Sequence, residues 1–233
     1  MNFSNSIKTI NTFVRPIRTV IKNFGNSDPI PGSGTMFFVN DNGVAVTCKH
    51  ISNILRNVAV VNQNWDKYLA EKSKLKRRSD QKGLAKQFGF NNDSTIQILY
   101  TVVNSFDTFT AMTIHEHPQL DLAIIEFKGF NSINYTGHAE FPSHNTFVEQ
   151  GEFFCRLGFP FPEFTNFQFN QSTEKLEWTS SGNLLSPIFP IEGMVTRKIN
   201  DSNGIEIAIE FSRPGLRGQS GGPLFDAEGL IFG

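Results

Sequence analysis

The chain has 233 residues, 39% of them hydrophobic, a formal net charge of −1 and two cysteines. A chain of this length can bury a substantial core in one large domain or two small ones. Two cysteines exclude a disulfide-dense scaffold and a four-cysteine zinc site, no apolar run is long enough for a membrane-spanning helix, and the balanced charge gives no reason to expect nucleic-acid binding.

Residues 1–27 are predicted to form an amphipathic helix. Their apolar residues recur at helical spacing, and Lys8, Arg15, Arg18 and Lys22 fall between them without any acidic residue. We expect this helix to pack on the domain, with a helix lying on a membrane surface as the alternative. The segment lacks the continuous apolar stretch of a secretory signal.

Short strands divided by turns dominate from residue 28 onward. Residues 36–39 and 44–47 flank a polar turn and predict a β-hairpin. Further strands are predicted at 96–103, 122–127, 147–157, 193–198 and 205–211. Residues 62–90 interrupt this pattern with a basic, helix-favouring run, and we interpret them as an inserted helix and loop on the surface. The fold class is therefore mainly β, as in a sandwich or barrels.

A glycine-rich turn around Ser220 is the strongest candidate for chemistry. Gly218 precedes the serine by two positions, and Gly221 and Gly222 follow it. Glycines let the backbone turn tightly and leave room for an acyl substrate above the hydroxyl. They also let the N–H groups of Gly218 and Ser220 converge on one point, as an oxyanion hole requires.

A serine nucleophile needs a base, and a base needs an orienting partner. His50 follows a predicted strand and precedes an apolar residue, so it occupies a fixed position on a rigid element. Asp121 lies within an apolar run, where an unpartnered acid is costly to bury. We therefore expect a buried Asp121 carboxylate to accept a hydrogen bond from the His50 ring.

Five segments in this order resemble the trypsin-like (chymotrypsin-fold) serine peptidases, in particular the bacterial type that includes the HtrA-like proteases. The segments are Gly32-Ser33-Gly34, Thr47-Cys48-Lys49-His50, Asp121-Leu122-Ala123, Gly158-Phe159-Pro160 and Gly218-Gln219-Ser220-Gly221-Gly222-Pro223. The resemblance implies two six-stranded antiparallel β-barrels, the first over about 28–130 and the second over about 145–233. Because the chain ends within what resembles a strand, we expect the second barrel to be incomplete.

The resemblance implies a serine endopeptidase that acts on protein or peptide substrates without a metal or other cofactor. Ser220 is then the nucleophile, His50 the base and Asp121 its orienting acid, with the oxyanion bound by the N–H groups of Gly218 and Ser220. Part of the pocket for the substrate residue before the cleaved bond is assigned to Arg213, Pro214, Gly215, Leu216 and Arg217. Neither the preferred substrate nor the oligomeric state follows from the motifs.

Departures from the family pattern add two expectations. Gln219 stands where animal digestive enzymes have an aspartate that binds a newly cut N-terminus, so activation by such cleavage is not expected. Cys48 and Cys155 do not match the family disulfide around the catalytic histidine, and we interpret both as free thiols in a reducing cytoplasm. His115 and His117 offer a metal-binding alternative, which we regard as the weaker interpretation.

Two rival functions are retained. The first is a catalytically inactive protease fold that only binds peptides, a pseudoprotease. The second is a membrane-docked scaffold, and this hypothesis depends on the basic helix predicted for residues 1–27 alone.

Overall fold

The computed structural model describes residues 2–143, 146–204 and 206–233. The helices of this part of the chain are α1 (Ser4–Ile10), α2 (Lys49–Lys72) and α3 (Arg78–Gln87). Its strands are β1 (Val14–Asn23), β2 (Ile30–Phe38), β3 (Val44–Thr47), β4 (Thr95–Val102), β5 (Ala111–Glu116), β6 (Ala123–Lys128), β7 (Phe153–Gly158), β8 (Phe167–Asn170), β9 (Lys175–Trp178), β10 (Phe189–Asn200), β11 (Glu206–Phe211) and β12 (Leu224–Phe225). The described chain is mainly β, as the sequence predicts.

The first sheet contains six antiparallel strands in the order β4-β1-β2-β3-β6-β5. The predicted hairpin is confirmed, because Phe37 on β2 pairs with Val46 on β3. The strand β6 then pairs along the other side of β3, with Thr47 opposite Ala123. This pairing brings the end of β3 next to the start of β6. His50 follows the first of these strands and Asp121 precedes the second.

The helix predicted for residues 1–27 is wrong. Only the seven-residue α1 is helical, and the longer part of the segment forms β1 in the middle of the first sheet. Because β1 is buried on both faces, its apolar residues do not alternate as they do in a half-exposed strand. Even Arg18 and Lys22 are buried, and the Arg18 guanidinium lies 5.0 Å from the ring centre of Phe164. The membrane-docked scaffold loses the helix on which it depended.

The predicted insertion is helical, but its helix starts earlier than expected. α2 already begins at Lys49, and α3 occupies most of the remaining insertion. α2 packs against β4, and its buried Trp65 and Tyr68 stack at 4.9 Å between ring centres. The Lys72 ammonium lies 2.7 Å from a carboxylate oxygen of Glu174 and so links α2 to the β8–β9 turn.

The second sheet has four strands in the order β11-β10-β7-β12, and β8 and β9 form a separate pair. Two six-stranded barrels are therefore not confirmed, since within the described ranges the second sheet is smaller and the edge strands β4 and β5 do not pair. Residue 145, the predicted start of the second barrel, and residue 205, the first residue of a predicted strand, lie outside the described residues.

A single hydrophobic core joins the two sheets. It contains Ile17 and Phe38 from the first sheet together with Leu157 and Phe225 from the second, all almost fully buried. This shared core sets the position of one sheet relative to the other, and therefore of the residues at their junction. None of the described helices is long and apolar enough to cross a membrane.

Candidate active site

His50 and Asp121 are brought together beside the first sheet. His50 lies in the first turn of α2, and Asp121 lies in the connection between β5 and β6. The His50 backbone N–H donates to Asp121 Oδ1 at 2.9 Å, and His50 Nδ1 lies 2.7 Å from Asp121 Oδ2. Two bonds to one carboxylate hold the ring in a defined orientation and leave Nε2 available for a reacting group.

The Asp121 carboxylate is not buried, contrary to the expectation from the sequence. Its side chain is 57% exposed and that of His50 is 52% exposed, because Asp121 precedes β6 rather than lying within it. Partial burial raises the pKa of Asp121, but hydrogen bonds from His50 and from the Lys49 N–H outweigh this effect and lower the pKa below its ordinary value. The carboxylate is therefore ionised at neutral pH and favours a proton on His50 Nδ1.

Ser220 lies in the turn before β12 and lines the same cavity as His50. This cavity has a volume of about 570 Å³ and is also lined by Arg217 and Gly218. Within the described residues no hydrogen bond joins Ser220 Oγ to His50. Such catalytic hydrogen bonds are often long before substrate binds and shorten in the complex. The structure thus brings the three predicted residues to one place, with the base directed by Asp121 but not yet bonded to the serine.

Thr35 on β2 anchors the Ser220 turn to the first sheet, a role that sequence analysis missed. The Thr35 N–H donates to the Ser220 carbonyl oxygen at 2.9 Å, and the Thr35 hydroxyl donates to the Gly218 carbonyl oxygen at 2.7 Å. The same hydroxyl accepts from the Phe159 N–H at 3.2 Å. Thr35 is fully buried, so these bonds are shielded from water. Its position directly after the Gly32-Ser33-Gly34 motif was the only sequence signal for it.

Two glycines of the predicted turn are required by the backbone. Gly218 and Gly221 have φ angles of 90° and 83°, which side-chain-bearing residues rarely adopt. A Cβ at Gly218 would lie 2.5 Å from the Phe159 carbonyl oxygen, and one at Gly221 would lie 2.2 Å from the Thr35 carbonyl oxygen. The turn therefore passes too close to the neighbouring backbone to accept any larger residue.

The predicted oxyanion donors are the backbone N–H groups of Gly218 and Ser220. In the part of the chain that the structure describes, these two groups donate no hydrogen bond. The buried Gln219 between them stabilises the turn, since its Oε1 accepts from the Leu216 N–H and its Nε2 donates to the Phe189 carbonyl oxygen. Gln219 thus stabilises the turn through neutral hydrogen bonds to neighbouring backbone groups.

Of the pocket residues predicted from the sequence, only Arg217 lines the cavity beside Ser220. Arg213 uses its carbonyl oxygen to accept from Arg156 Nη2 at 2.5 Å, and a Cβ at Gly215 would lie 3.0 Å from Arg156 Nη1. Arg156 lies on β7 with its guanidinium 5.5 Å from the ring centre of Phe211. Burial lowers the pKa of Arg156. Sequence analysis missed this residue, although a charged residue within the apolar β7 segment was a signal for it.

Cys48 immediately precedes α2 and lies next to the His50–Asp121 pair. A metal-ligating atom from each of Cys48, His50 and Asp121 lies within 4.8 Å of the other two. Burial, followed by the nearby Asp121 charge, raises the pKa of Cys48 to about 11. The thiol is therefore protonated at neutral pH and does not compete with Ser220 as a nucleophile.

The histidines of the predicted alternative metal site serve other contacts. His115 Nε2 lies 3.5 Å from a carboxylate oxygen of Glu126. His117 Nδ1 accepts hydrogen bonds from the N–H groups of Gln119 and Leu120, which shapes the turn before Asp121. Neither histidine belongs to the one group of three metal-ligating side chains found among the described residues.

Comparison with known proteins identifies the family. The family described as trypsin-like peptidase domain matches residues 32–233. The chain belongs to this family. Among 268 matching chains of known structure is an HtrA-type protease determined with a tripeptide, and this peptidase domain is similar to it with a TM-score of 0.50 and 12% identity. The match covers 100% of this chain and 53% of that one, so the chain spans about half the length of that protease. No curated protein matches.

The family assignment confirms the resemblance that the five motifs predict. At 12% identity, the likeness to the HtrA-type protease shows the fold of this peptidase domain alone. The mainly β architecture with its six-stranded antiparallel sheet is consistent with a chymotrypsin-like fold, whereas two six-stranded barrels are not confirmed. Neither comparison assigns a role to an individual residue.

Proposed function

We propose that this chain is a serine endopeptidase that hydrolyses peptide bonds through Ser220, His50 and Asp121. One observation carries the proposal. At the junction of the two sheets, His50 is held by the Asp121 carboxylate and lines the same cavity as the glycine-flanked Ser220. The N–H groups of Gly218 and of Ser220 itself donate no hydrogen bond within the described residues. They are the donors proposed to bind the negative charge that develops on the substrate carbonyl oxygen during acyl transfer.

In this mechanism Ser220 Oγ attacks the carbonyl carbon of the scissile bond while His50 Nε2 takes the hydroxyl proton. The Gly218 and Ser220 N–H groups stabilise the negative charge on the carbonyl oxygen. His50 then gives its proton to the leaving amine, and an acyl-enzyme remains on Ser220. A water molecule, activated by the same histidine, hydrolyses the ester and restores the serine. Asp121 stabilises the positive charge that His50 carries between these steps.

The cavity beside Ser220 favours an apolar peptide segment. Its apolar lining comes from Ile30, Pro31, Ile51, Ile54, Pro160 and Pro162. Such a surface binds branched aliphatic side chains by excluding water, at about 25 cal/mol for each Å² of apolar surface buried. Arg217 at the same cavity adds one positive charge. We infer that preferred substrates carry an aliphatic residue next to the cleaved bond.

The decisive experiment is covalent labelling with a fluorophosphonate probe, which reacts with activated serines. We expect the wild-type chain to be labelled and both Ser220→Ala and His50→Ala to lose labelling. Ser202→Ala is the matched control, because Ser202 is an exposed serine in a turn and does not line the cavity beside Ser220, so this variant should be labelled normally. Labelling of Ser220→Ala at the wild-type rate would refute the assignment of the nucleophile.

A binding-only pseudoprotease is the alternative, and two observations favour it. Ser220 Oγ and His50 are not hydrogen-bonded in the described structure, and the orienting Asp121 is exposed to water. Measuring probe labelling and peptide binding side by side distinguishes the two functions. An enzyme is labelled and cleaves an aliphatic peptide library, whereas a pseudoprotease binds the same peptides without labelling or cleavage.

A further inference from the structure

A group of three different metal-ligating side chains lies at the start of α2. Cys48 occupies the residue before the helix, His50 lies in its first turn, and Asp121 approaches from the β5–β6 connection. One ligand atom from each lies within 4.8 Å of the other two. Because Cys48 and His50 are only two positions apart in the chain, their ligand atoms stay close to each other.

The surrounding backbone holds this group in place. The His50 N–H donates to Asp121 Oδ1 and fixes the carboxylate. Lys49 Nζ donates to the His117 carbonyl oxygen at 3.0 Å, which ties the start of α2 to the connection that carries Asp121. The Gly221 backbone packs closely against Cys48, since a Cβ at Gly221 would lie 3.0 Å from the Cys48 backbone nitrogen. A site that is already assembled loses little conformational entropy when an ion binds.

A thiolate, an imidazole and a carboxylate together form a donor set that suits Zn²⁺. Zinc accepts sulfur, nitrogen and oxygen ligands in tetrahedral geometry, and sites with three protein ligands complete it with water. The sulfur ligand disfavours Mg²⁺ and Ca²⁺, which prefer oxygen alone. The half-exposed His50 and Asp121 leave a route for the ion to enter.

We propose that Cys48, His50 and Asp121 bind Zn²⁺ and that this binding inhibits the peptidase reversibly. The inhibitory part rests on the proposed function, whereas the binding part does not. On binding, the Cys48 thiol releases its proton to solvent, and the His50 proton moves from Nδ1 to Nε2 so that Nδ1 and the Asp121 carboxylate can both bind the ion. With Nε2 protonated, His50 cannot accept the Ser220 hydroxyl proton, and its function as a general base is lost. Removal of zinc by a chelator restores the hydrogen bond and the activity.

Binding is tested on the full chain by titration with Co²⁺, which substitutes for Zn²⁺ and absorbs in the near ultraviolet when a thiolate binds it. Competition with a chromogenic zinc chelator then gives the zinc affinity. We expect Cys48→Ala to lose the thiolate absorption and to bind zinc more than about tenfold more weakly. Cys155→Ala is the matched control, since Cys155 is the other free cysteine and lies buried on β7 away from the site. Circular dichroism establishes that both variants are folded.

Inhibition is tested by the fluorophosphonate labelling rate with and without zinc, each variant being compared with its own metal-free rate. We expect zinc to slow labelling of the wild type and of Cys155→Ala, and to have more than about tenfold less effect on Cys48→Ala. Equal inhibition of Cys48→Ala and the wild type would overturn the proposal, and so would Co²⁺ spectra without a thiolate band. Absence of labelling without any metal would instead refute the proposed peptidase activity, and the Co²⁺ titration would still decide the site.

Discussion

The two sheets of this peptidase domain differ in how completely they are buried. In the first sheet β1 is covered on both faces, and Phe38 is fully buried against Tyr135 with 3.7 Å between the ring centres. In the second sheet most of β11 is exposed, and Phe153 at the start of β7 remains 44% exposed. The first sheet therefore supplies a larger share of the packing that resists unfolding.

This difference matters because the candidate site draws on both regions. His50 and Asp121 stand beside the first sheet, whereas Ser220 lies in a turn that enters the second. The turn nevertheless takes two of its anchoring hydrogen bonds from Thr35 on the first sheet. The first sheet thus positions the proposed nucleophile Ser220 as well as the proposed base His50. Four experiments test how strongly the site depends on this sheet.

The largest effect is expected from truncation of the buried aromatic residue of the first sheet. Phe38→Ala should lower the free energy of unfolding by about 3–5 kcal/mol, because it removes a fully buried ring and leaves a cavity. The matched variant in the second sheet, Phe153→Ala, should change it by less than about 1 kcal/mol because that ring is partly in water. Urea denaturation at neutral pH measures both. Equal losses would contradict the contrast between the sheets.

Asp121→Asn should slow fluorophosphonate labelling by roughly 10²- to 10³-fold. In trypsin-like enzymes with a buried acid, this change costs about 10⁴-fold. The smaller loss is expected because the Asp121 carboxylate is more than half exposed, so water weakens its interaction with the charged His50 ring. Glu126→Gln is the control, since Glu126 also lies close to a histidine, His115, outside the site. A comparable loss in Glu126→Gln would mean that the effect is not specific to the site.

Thr35→Val should slow labelling by roughly 10- to 100-fold. Valine keeps the shape of threonine but leaves the buried Gly218 carbonyl oxygen and Phe159 N–H without the hydroxyl, a loss of about 1–3 kcal/mol. Thr35→Ser retains the hydroxyl and should restore most of the rate even if it packs less well. If both variants were slowed equally, Thr35 would act through packing rather than through its hydrogen bonds.

The smallest effect concerns the pH dependence of stability. Because the pKa of Asp121 is lowered in the folded chain, its contribution to stability is present above the ordinary carboxyl pKa and is lost as the pH falls through the folded value. The stability advantage of the wild type over Asp121→Asn should therefore shrink as the pH falls below about 5. Urea denaturation below that pH checks the sign, and an advantage that grows there on further acidification would contradict it.

The motif residues were predictable because their requirements are local. The hairpin around residue 40 follows from two short apolar strands and the polar turn between them, and the glycines beside Ser220 follow from the tight turn. The segment Val14–Asn23 was mispredicted because burial on both faces removes the alternation that identifies a strand. The exposure of Asp121 was mispredicted because apolar neighbours along the chain do not show whether a side chain just before a strand faces the core or the solvent.

The sequence by itself determined the family, the mainly β class and the order of the candidate catalytic residues, since these are recorded in short segments with strict steric and chemical requirements. Tertiary structure alone decided that Thr35 holds a turn 183 residues further along the chain and that Cys48 lies beside His50 and Asp121. Such contacts depend on how two sheets close over one core, and the packing energy of that core is spread over many residues that carry no individual signature.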